Sequence, residues 1–209
     1  MNHKILALAA HPDDIEFSCG ASIHKLNNSE SIIKYVVFSP CTKSLLKGQP
    51  DNILFEELEK AATHLNIKKE NIIKFNFPVR EFPKYRQEIL EELIKIKKEF
   101  TPDLVFIPNS HDIHQDHKAI HEEGVRAFKN SKILGYEMPW NNLTSTTNFF
   151  IKISKEDLEQ KIKAIKEYKT QNHRIYKDEE LFAGLAKVRG VQANCELAEA
   201  FELIKWHID

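Results

Sequence analysis

The chain has too few cysteines, too widely spaced, for either of their structural uses. Cys19, Cys41 and Cys195 are odd in number and form no CxxC pair. A disulfide framework and a cysteine zinc site are therefore excluded, and a reducing, cytoplasmic location is expected. Long hydrophobic runs are also missing. The apolar runs are strand-sized, far short of the ~20 residues a membrane helix needs, so no membrane span is expected. Met1-Asn2-His3-Lys4 leads directly into such a run, without the longer apolar region and small-residue cleavage site of a signal peptide. No sign of charge dominates: 30 Lys and Arg against 31 Asp and Glu leave a formal net charge of -1. Such a balance provides no field for nucleic acid or an anionic membrane. Neither GxGxxG nor a P-loop occurs, so nothing signals nucleotide-phosphate binding.

What remains is an ordinary globular composition, 42% hydrophobic and 29% charged, which excludes global disorder. The 209 residues contain no repeat, low-complexity tract or linker, and one domain with a sizeable core is expected. Strand-like and helix-like segments alternate. Residues 5–8, 32–38, 72–75, 104–107, 133–136 and 149–153 are expected as strands. Residues 17–26, 55–65, 85–100 and 117–128 are expected as helices, the second from the helical spacing of Phe55, Leu58, Ala61, Ala62 and Leu65. Ser154 reads as the N-cap of a Lys-rich helix running to about Tyr168, and Thr170-Gln171-Asn172-His173 as a break. A final helix is expected from Cys195 to about Ile204, after Arg189-Gly190. The alternation implies an α/β fold, a three-layer sandwich with a mainly parallel sheet. In such sheets ligands bind outside the carboxyl ends of the strands.

Two clusters are expected at that edge. Ala9-Ala10-His11-Pro12-Asp13-Asp14 follows the first apolar run, and His111-Asp112-Ile113-His114-Gln115-Asp116-His117 follows Leu104-Val105-Phe106-Ile107. A catalytic zinc site takes three protein ligands and keeps a position open for water, which then ionises near neutral pH. His11, Asp14 and His117 are expected as the ligands. Asp13 is expected as the general base on the water. His114 is expected to face the substrate carbonyl, as oxyanion stabiliser or proton donor, and Asp116 to orient a histidine.

Ala10-His11-Pro12-Asp13-Asp14, with Glu16 and Cys19-Gly20, resembles the AHPDD signature of the PIG-L/LmbE-like zinc-dependent deacetylases. His114-Gln115-Asp116-His117 resembles that family's H-x-D-H motif. Thr170-Gln171 stands for its usual Ser-Gln, and Arg189-Gly190 with Ala198-Glu199-Ala200-Phe201 is similar to its RG…AEAF ending. The resemblance implies a Rossmann-like fold and hydrolysis of the N-acetyl group of N-acetylglucosamine-type sugars or conjugates. It implies one zinc ion on His11, Asp14 and His117, with Asp13 as base and His114 stabilising the tetrahedral intermediate. Ala21 departs from the family's second glycine, and Leu54 stands where many members carry a substrate-binding arginine. Lys43, Lys47, Arg80 and Arg86 are the candidates to replace it.

Substrate contacts are also expected from Lys43, Asp112, Trp140 and Arg189, with Trp140 as a sugar-stacking platform. The partner is expected to be a small N-acetylated sugar or glycoconjugate, with a homo-oligomer compatible but not indicated. Two other functions compete: a phosphoesterase using a His/Asp metal site, and a catalytically silent carbohydrate-binding protein of the same fold.

Overall fold

Continuous apolar runs flanked by helical segments on both sides dictate a sheet buried on both faces, and the computed structural model describes this arrangement over residues 3–27, 31–144 and 146–207. Met1 and Asn2, part of the leader reading, lie outside those residues. The strands are β1 (Lys4–Ala9), β2 (Ile32–Val37), β3 (Ile72–Lys74), β4 (Leu104–Pro108), β5 (Lys132–Tyr136), β6 (Phe149–Lys152) and β7 (Ala198–Lys205). The helices are α1 (Asp14–Asn27), α2 (Ile53–His64), α3 (Arg86–Phe100), α4 (Gln115–Ala127), α5 (Lys155–Glu167) and α6 (Glu179–Gln192). The strands form one sheet in the order β3-β2-β1-β4-β5-β7-β6. β1 to β5 are mutually parallel, and β7 is antiparallel to both its neighbours.

β1 shows how sequence becomes layers. Ile5, Ala7 and Ala9 pack with Phe17 of α1, Leu58 of α2 and Ile165 of α5. Leu6, Leu8 and the following Ala10 pack with Leu93 of α3 and Ile120 of α4 on the opposite face. Period-two alternation thus feeds two cores, and each fully buried Leu contributes about 1.5–3 kcal/mol. Thr101 ends α3 in the left-handed conformation, and Pro102 blocks continuation. Ser154 caps α5 in a reciprocal box with Asp157: its hydroxyl accepts from the Asp157 N–H at 3.1 Å, and its own N–H donates to Asp157 Oδ2 at 2.8 Å. No helix of the described residues is long and apolar enough to cross a membrane.

The C-terminal segment corrects the sequence reading. The expected helix 195–204 is strand β7, and Arg189-Gly190 lies inside α6 rather than before a helix. Ala, Glu and Leu favour helix locally, but a vacant slot between β5 and β6 offers ladder hydrogen bonds on both sides, and that outweighs propensity. Phe201 fixes the register by packing on Phe106 at 5.4 Å between ring centroids. Gly190 is needed where the chain returns toward the sheet: a Cβ there would collide with the Glu196 backbone.

β1 is flanked by β2 and β4, so the connections after β1 and β4 leave in opposite directions along the sheet. That reversal opens a crevice at the carboxyl ends of β1 and β4, the strands that deliver the two His/Asp clusters.

Candidate active site

α1 begins at Asp14, immediately after a turn in which Asp13 takes a positive φ of 90°. A short Asp tolerates the left-handed region better than a bulky or β-branched residue. The tight turn brings two consecutive carboxylates to one cleft wall in different roles. Asp14 is buried and accepts the His11 backbone N–H at 2.8 Å, while Asp13 lines the cleft part-buried. His114 caps the start of α4, its Nδ1 accepting the Asp116 backbone N–H at 3.2 Å. That places His117 in the first turn of α4, aimed back at β1.

Three donors meet at one point. His11 Nδ1 and His117 Nε2 lie 3.2 Å apart, and Asp14 Oδ1 is 3.4 Å from His117 Nε2 and 3.9 Å from His11 Nδ1. His117 Nδ1 is bonded to Asp112 Oδ2 at 2.7 Å, and His11 Nε2 to Asp116 Oδ2 at 2.9 Å. A carboxylate only accepts, so each outer nitrogen carries the proton when the ring is neutral, and the two inner nitrogens are left with bare lone pairs. Two lone pairs and a carboxylate converging this closely repel one another unless a proton or a metal ion lies between them. Without a metal, Asp14 and Asp112 overcome burial and raise the His117 pKa well above the ordinary histidine value, so the proton and a metal ion compete for the same point. Tetrahedral coordination with bonds of ~2.0–2.1 Å separates ligand atoms by roughly 3.3 Å, close to the separations found. The residues fit a divalent metal.

His114 completes a set with His11 and His117 whose donor atoms lie within 4.8 Å of one another, a group able to hold a metal. Its hydrogen bonding argues for a different part. Burial, with the neighbouring His11 and His117, lowers its pKa to about 4, so the ring is neutral. With Nδ1 accepting a backbone N–H, its proton sits on Nε2. The ring therefore offers a donor rather than a lone pair.

The carboxylates are strongly differentiated. Burial, reinforced by Asp14 and Glu16, raises the Asp13 carboxyl well above the ordinary range. Burial also opposes charge on Asp14, but His117 and His11 outweigh it and hold that carboxyl low. Glu16, fully buried and accepting the Tyr35 hydroxyl at 2.9 Å, is pushed by burial up to about 7.

The cleft has a volume of about 380 Å³ and is open to solvent. Leu54, Val79, Phe17 and Met138 give it apolar walls, and Trp140 stacks on Tyr176 with ring centroids 4.3 Å apart and planes 8° from parallel. Arg80 and Arg174 also line it. Tyr176 and Arg174 escaped the sequence reading because they lie beyond the Thr170-Gln171 break, in irregular chain. Their anchor is Glu57 of α2, whose carboxylate accepts the Thr170 N–H at 3.0 Å and its hydroxyl at 2.6 Å. A buried Glu on the apolar face of a helix was the available signal.

Three expected substrate contacts lie elsewhere. Asp112 is 1% exposed and committed to His117, the His114 N–H and Asn141, so it orients a ring instead of meeting a substrate. Lys43 is not part of the cleft lining; its ammonium is drawn to Glu81 on the surface. Arg189 turns toward Glu137, its Nε donating at 3.0 Å, beside a separate small cavity shared with Lys161 and Glu199. Replacing Asp112 with Ala is expected to weaken divalent-metal binding 10- to 100-fold, because His117 loses the group that sets its tautomer. Competition with a chromogenic chelator measures it, and unchanged affinity would remove that role.

Comparison with known proteins accords with this geometry. The model of the PIG-L family, described as GlcNAc-PI de-N-acetylase, matches residues 6–128. The Escherichia coli (strain K12) protein called "Uncharacterized deacetylase YaiS" is 30% identical over 172 residues, 79% of this chain and 90% of its own length. Diacetylchitobiose deacetylase of Thermococcus kodakarensis is 24% identical over 190 residues, 80% of this chain and 70% of that protein. Among solved structures, N,N'-diacetylchitobiose deacetylase from Pyrococcus horikoshii, complexed with its inhibitor MPG, superposes with a TM-score of 0.79 at 23% identity, covering 96% of this chain and 83% of that one. With the two motifs at the ends of β1 and β4 and the match spanning more than half of its length, the chain belongs to the PIG-L family.

Proposed function

We propose that the chain, acting as one cytoplasmic domain, is a zinc-dependent N-deacetylase that removes acetate from an N-acetylglucosamine-type sugar or glycoconjugate. The observation that carries the reading is the convergence of His11 Nδ1, His117 Nε2 and Asp14 Oδ1 beside an unligated Asp13 in an aromatic-walled cleft. Family membership and the named activities of the relatives support it.

His11, Asp14 and His117 hold the metal, and Asp116 and Asp112 set the two imidazoles from behind. When bound, the zinc ion lowers the pKa of a water to near 7 and polarises the acyl oxygen. Asp13 takes the proton from the attacking water, and its raised pKa suits that work near neutral pH. His114 donates its Nε2 proton as a hydrogen bond to the acyl oxygen as negative charge builds there. Asp13, now protonated, returns the proton to the departing amine. Trp140, on its stacked partner Tyr176, presents an aromatic face for the sugar ring.

The test is acetate release from a panel of N-acetylated sugars and their conjugates. Activity is expected to vanish with a chelator and to return with zinc. Sugar binding without acetate release at any metal loading would favour the silent carbohydrate-binding reading. Phosphatase activity with two ions per chain would favour the phosphoesterase, although among the described residues only one cluster of metal-binding side chains occurs.

A further inference from the structure

We propose that the cleft selects an N-acetylated amino sugar bearing an anionic group, phosphate or carboxylate, and that Arg80 and Arg174 receive that group. The proposal rests on the deacetylase reading and adds the substrate's charge to it.

The chain has five arginines. Arg86 pairs with Glu122 and Glu123, Arg126 with Glu123, and Arg189 with Glu137. Only Arg80 and Arg174 line the cleft, and among the described residues neither forms an ion pair with a carboxylate. Each is steadied instead by a neutral acceptor through one nitrogen. Arg80 Nη2 donates to the Lys43 carbonyl at 2.9 Å, and Arg174 Nε donates to Gln171 Oε1 at 3.2 Å. The remaining N–H groups of each planar fork stay available, the geometry that carboxylate and phosphate match.

Both side chains stand on loops tied to the site. Arg80 occupies the left-handed region at φ 69°, and its backbone N–H donates at 2.5 Å to Asp116 Oδ2, the oxygen that also holds His11. A residue with a Cβ adopts that conformation only when its surroundings enforce it, and the Asp116 contact pins the loop there. Arg174 belongs to the segment that Thr170 anchors on Glu57. The cleft also contains Asp13 and Asp14, whose charge alone would repel an anion. The two guanidinium groups in the same lining offset that charge, Arg174 acting on Asp13 itself. Leu54 leaves its own part of the wall without a cation, so Arg80 and Arg174 are the lining's only Lys or Arg side chains among the described residues.

The test is calorimetric titration of the zinc-loaded Asp13→Asn protein with N-acetylglucosamine, its 1-phosphate, its 6-phosphate and N-acetylmuramic acid. At least one anionic sugar is expected to bind about 10- to 100-fold more tightly than the neutral one, the range of charge-assisted hydrogen bonds. The two phosphates and the carboxylate of N-acetylmuramic acid distinguish the kind and position of the anion. In the Arg80→Met/Arg174→Met protein the advantage is expected to disappear while affinity for N-acetylglucosamine stays. Equal binding of neutral and anionic sugars, or an advantage that survives the double substitution, overturns the proposal. Acetate release by the unsubstituted protein is scored separately. Turnover of neutral sugars without anionic preference removes the subsite and keeps the reaction, whereas anionic preference without any acetate release removes the reaction.

Discussion

Asp13→Asn is expected to lower kcat for acetate release by about 10²- to 10⁴-fold while the protein stays folded and keeps its metal. The magnitude is that of a positioned general base. Asn is the informative replacement because it tolerates the left-handed conformation as Asp does, so the turn at φ 90° survives. It also keeps the shape of the side chain while removing its charge and its capacity to take a proton. His11, Asp14 and His117 retain every contact they make with one another and with Asp112 and Asp116. Metal content by elemental analysis should therefore equal that of the unsubstituted protein. Wild-type kcat in the loaded variant would assign the proton transfer elsewhere. Loss of metal together with activity would instead place Asp13 among the ligands.

Glu199→Ala is expected to destabilise the fold by about 3–5 kcal/mol, the cost of stranding one member of a buried ion pair. Glu199 and Lys161 are both buried and pair at 2.6 Å, and together they stitch a break in α1. Cys19 leaves helical geometry at φ -126° and ψ 22°. The Glu199 carboxylate then accepts the Ala21 and Ser22 N–H groups at 3.3 and 2.7 Å, and Lys161 Nζ donates to the Ser18 carbonyl at 2.8 Å. Removing the carboxylate leaves two backbone donors without a partner and a buried ammonium without its counter-charge, held only by the Ser18 carbonyl. For a chain of this size the melting temperature should fall by roughly 6–20 °C. Lys161→Met/Glu199→Gln, which removes both charges and keeps a hydrogen-bond acceptor, should recover part of the loss. A Glu199→Ala protein as stable as wild type, or a double variant worse than the single one, would show that the pair does not hold the break.

These two residues mark where sequence reading stopped. Glu199 was visible as part of the Ala-Glu-Ala-Phe segment, but local propensity placed it on a helix, whereas it lies on β7 and reaches across to α1. Lys161 was one lysine in a Lys-rich helix, and only packing shows that this one is buried. Asp112 has the same history. The sequence points to a substrate contact, yet the carboxylate bonds to the His117 ring and to the His114 backbone N–H. Contacts between residues far apart in sequence depend on strand order and helix rotation, which one-dimensional spacing does not encode.

The sequence by itself determined the α/β alternation, the two clusters at strand ends and the kind of chemistry they hold. Those follow from short-range rules: apolar periodicity, turn residues and the ligand preferences of a divalent metal. The expected division into ligands, base and oxyanion donor was also legible in the sequence; only the tertiary structure decided the geometry and hydrogen bonds that set each group. The crevice between β1 and β4 puts His11 Nδ1 against His117 Nε2, Asp112 and Asp116 fix which nitrogens are bare, and the cap at α4 keeps the His114 proton pointed outward. The cleft wall of Trp140, Arg174 and Tyr176 was decided there too, because its irregular chain has no period to read and is held by one distant carboxylate, Glu57.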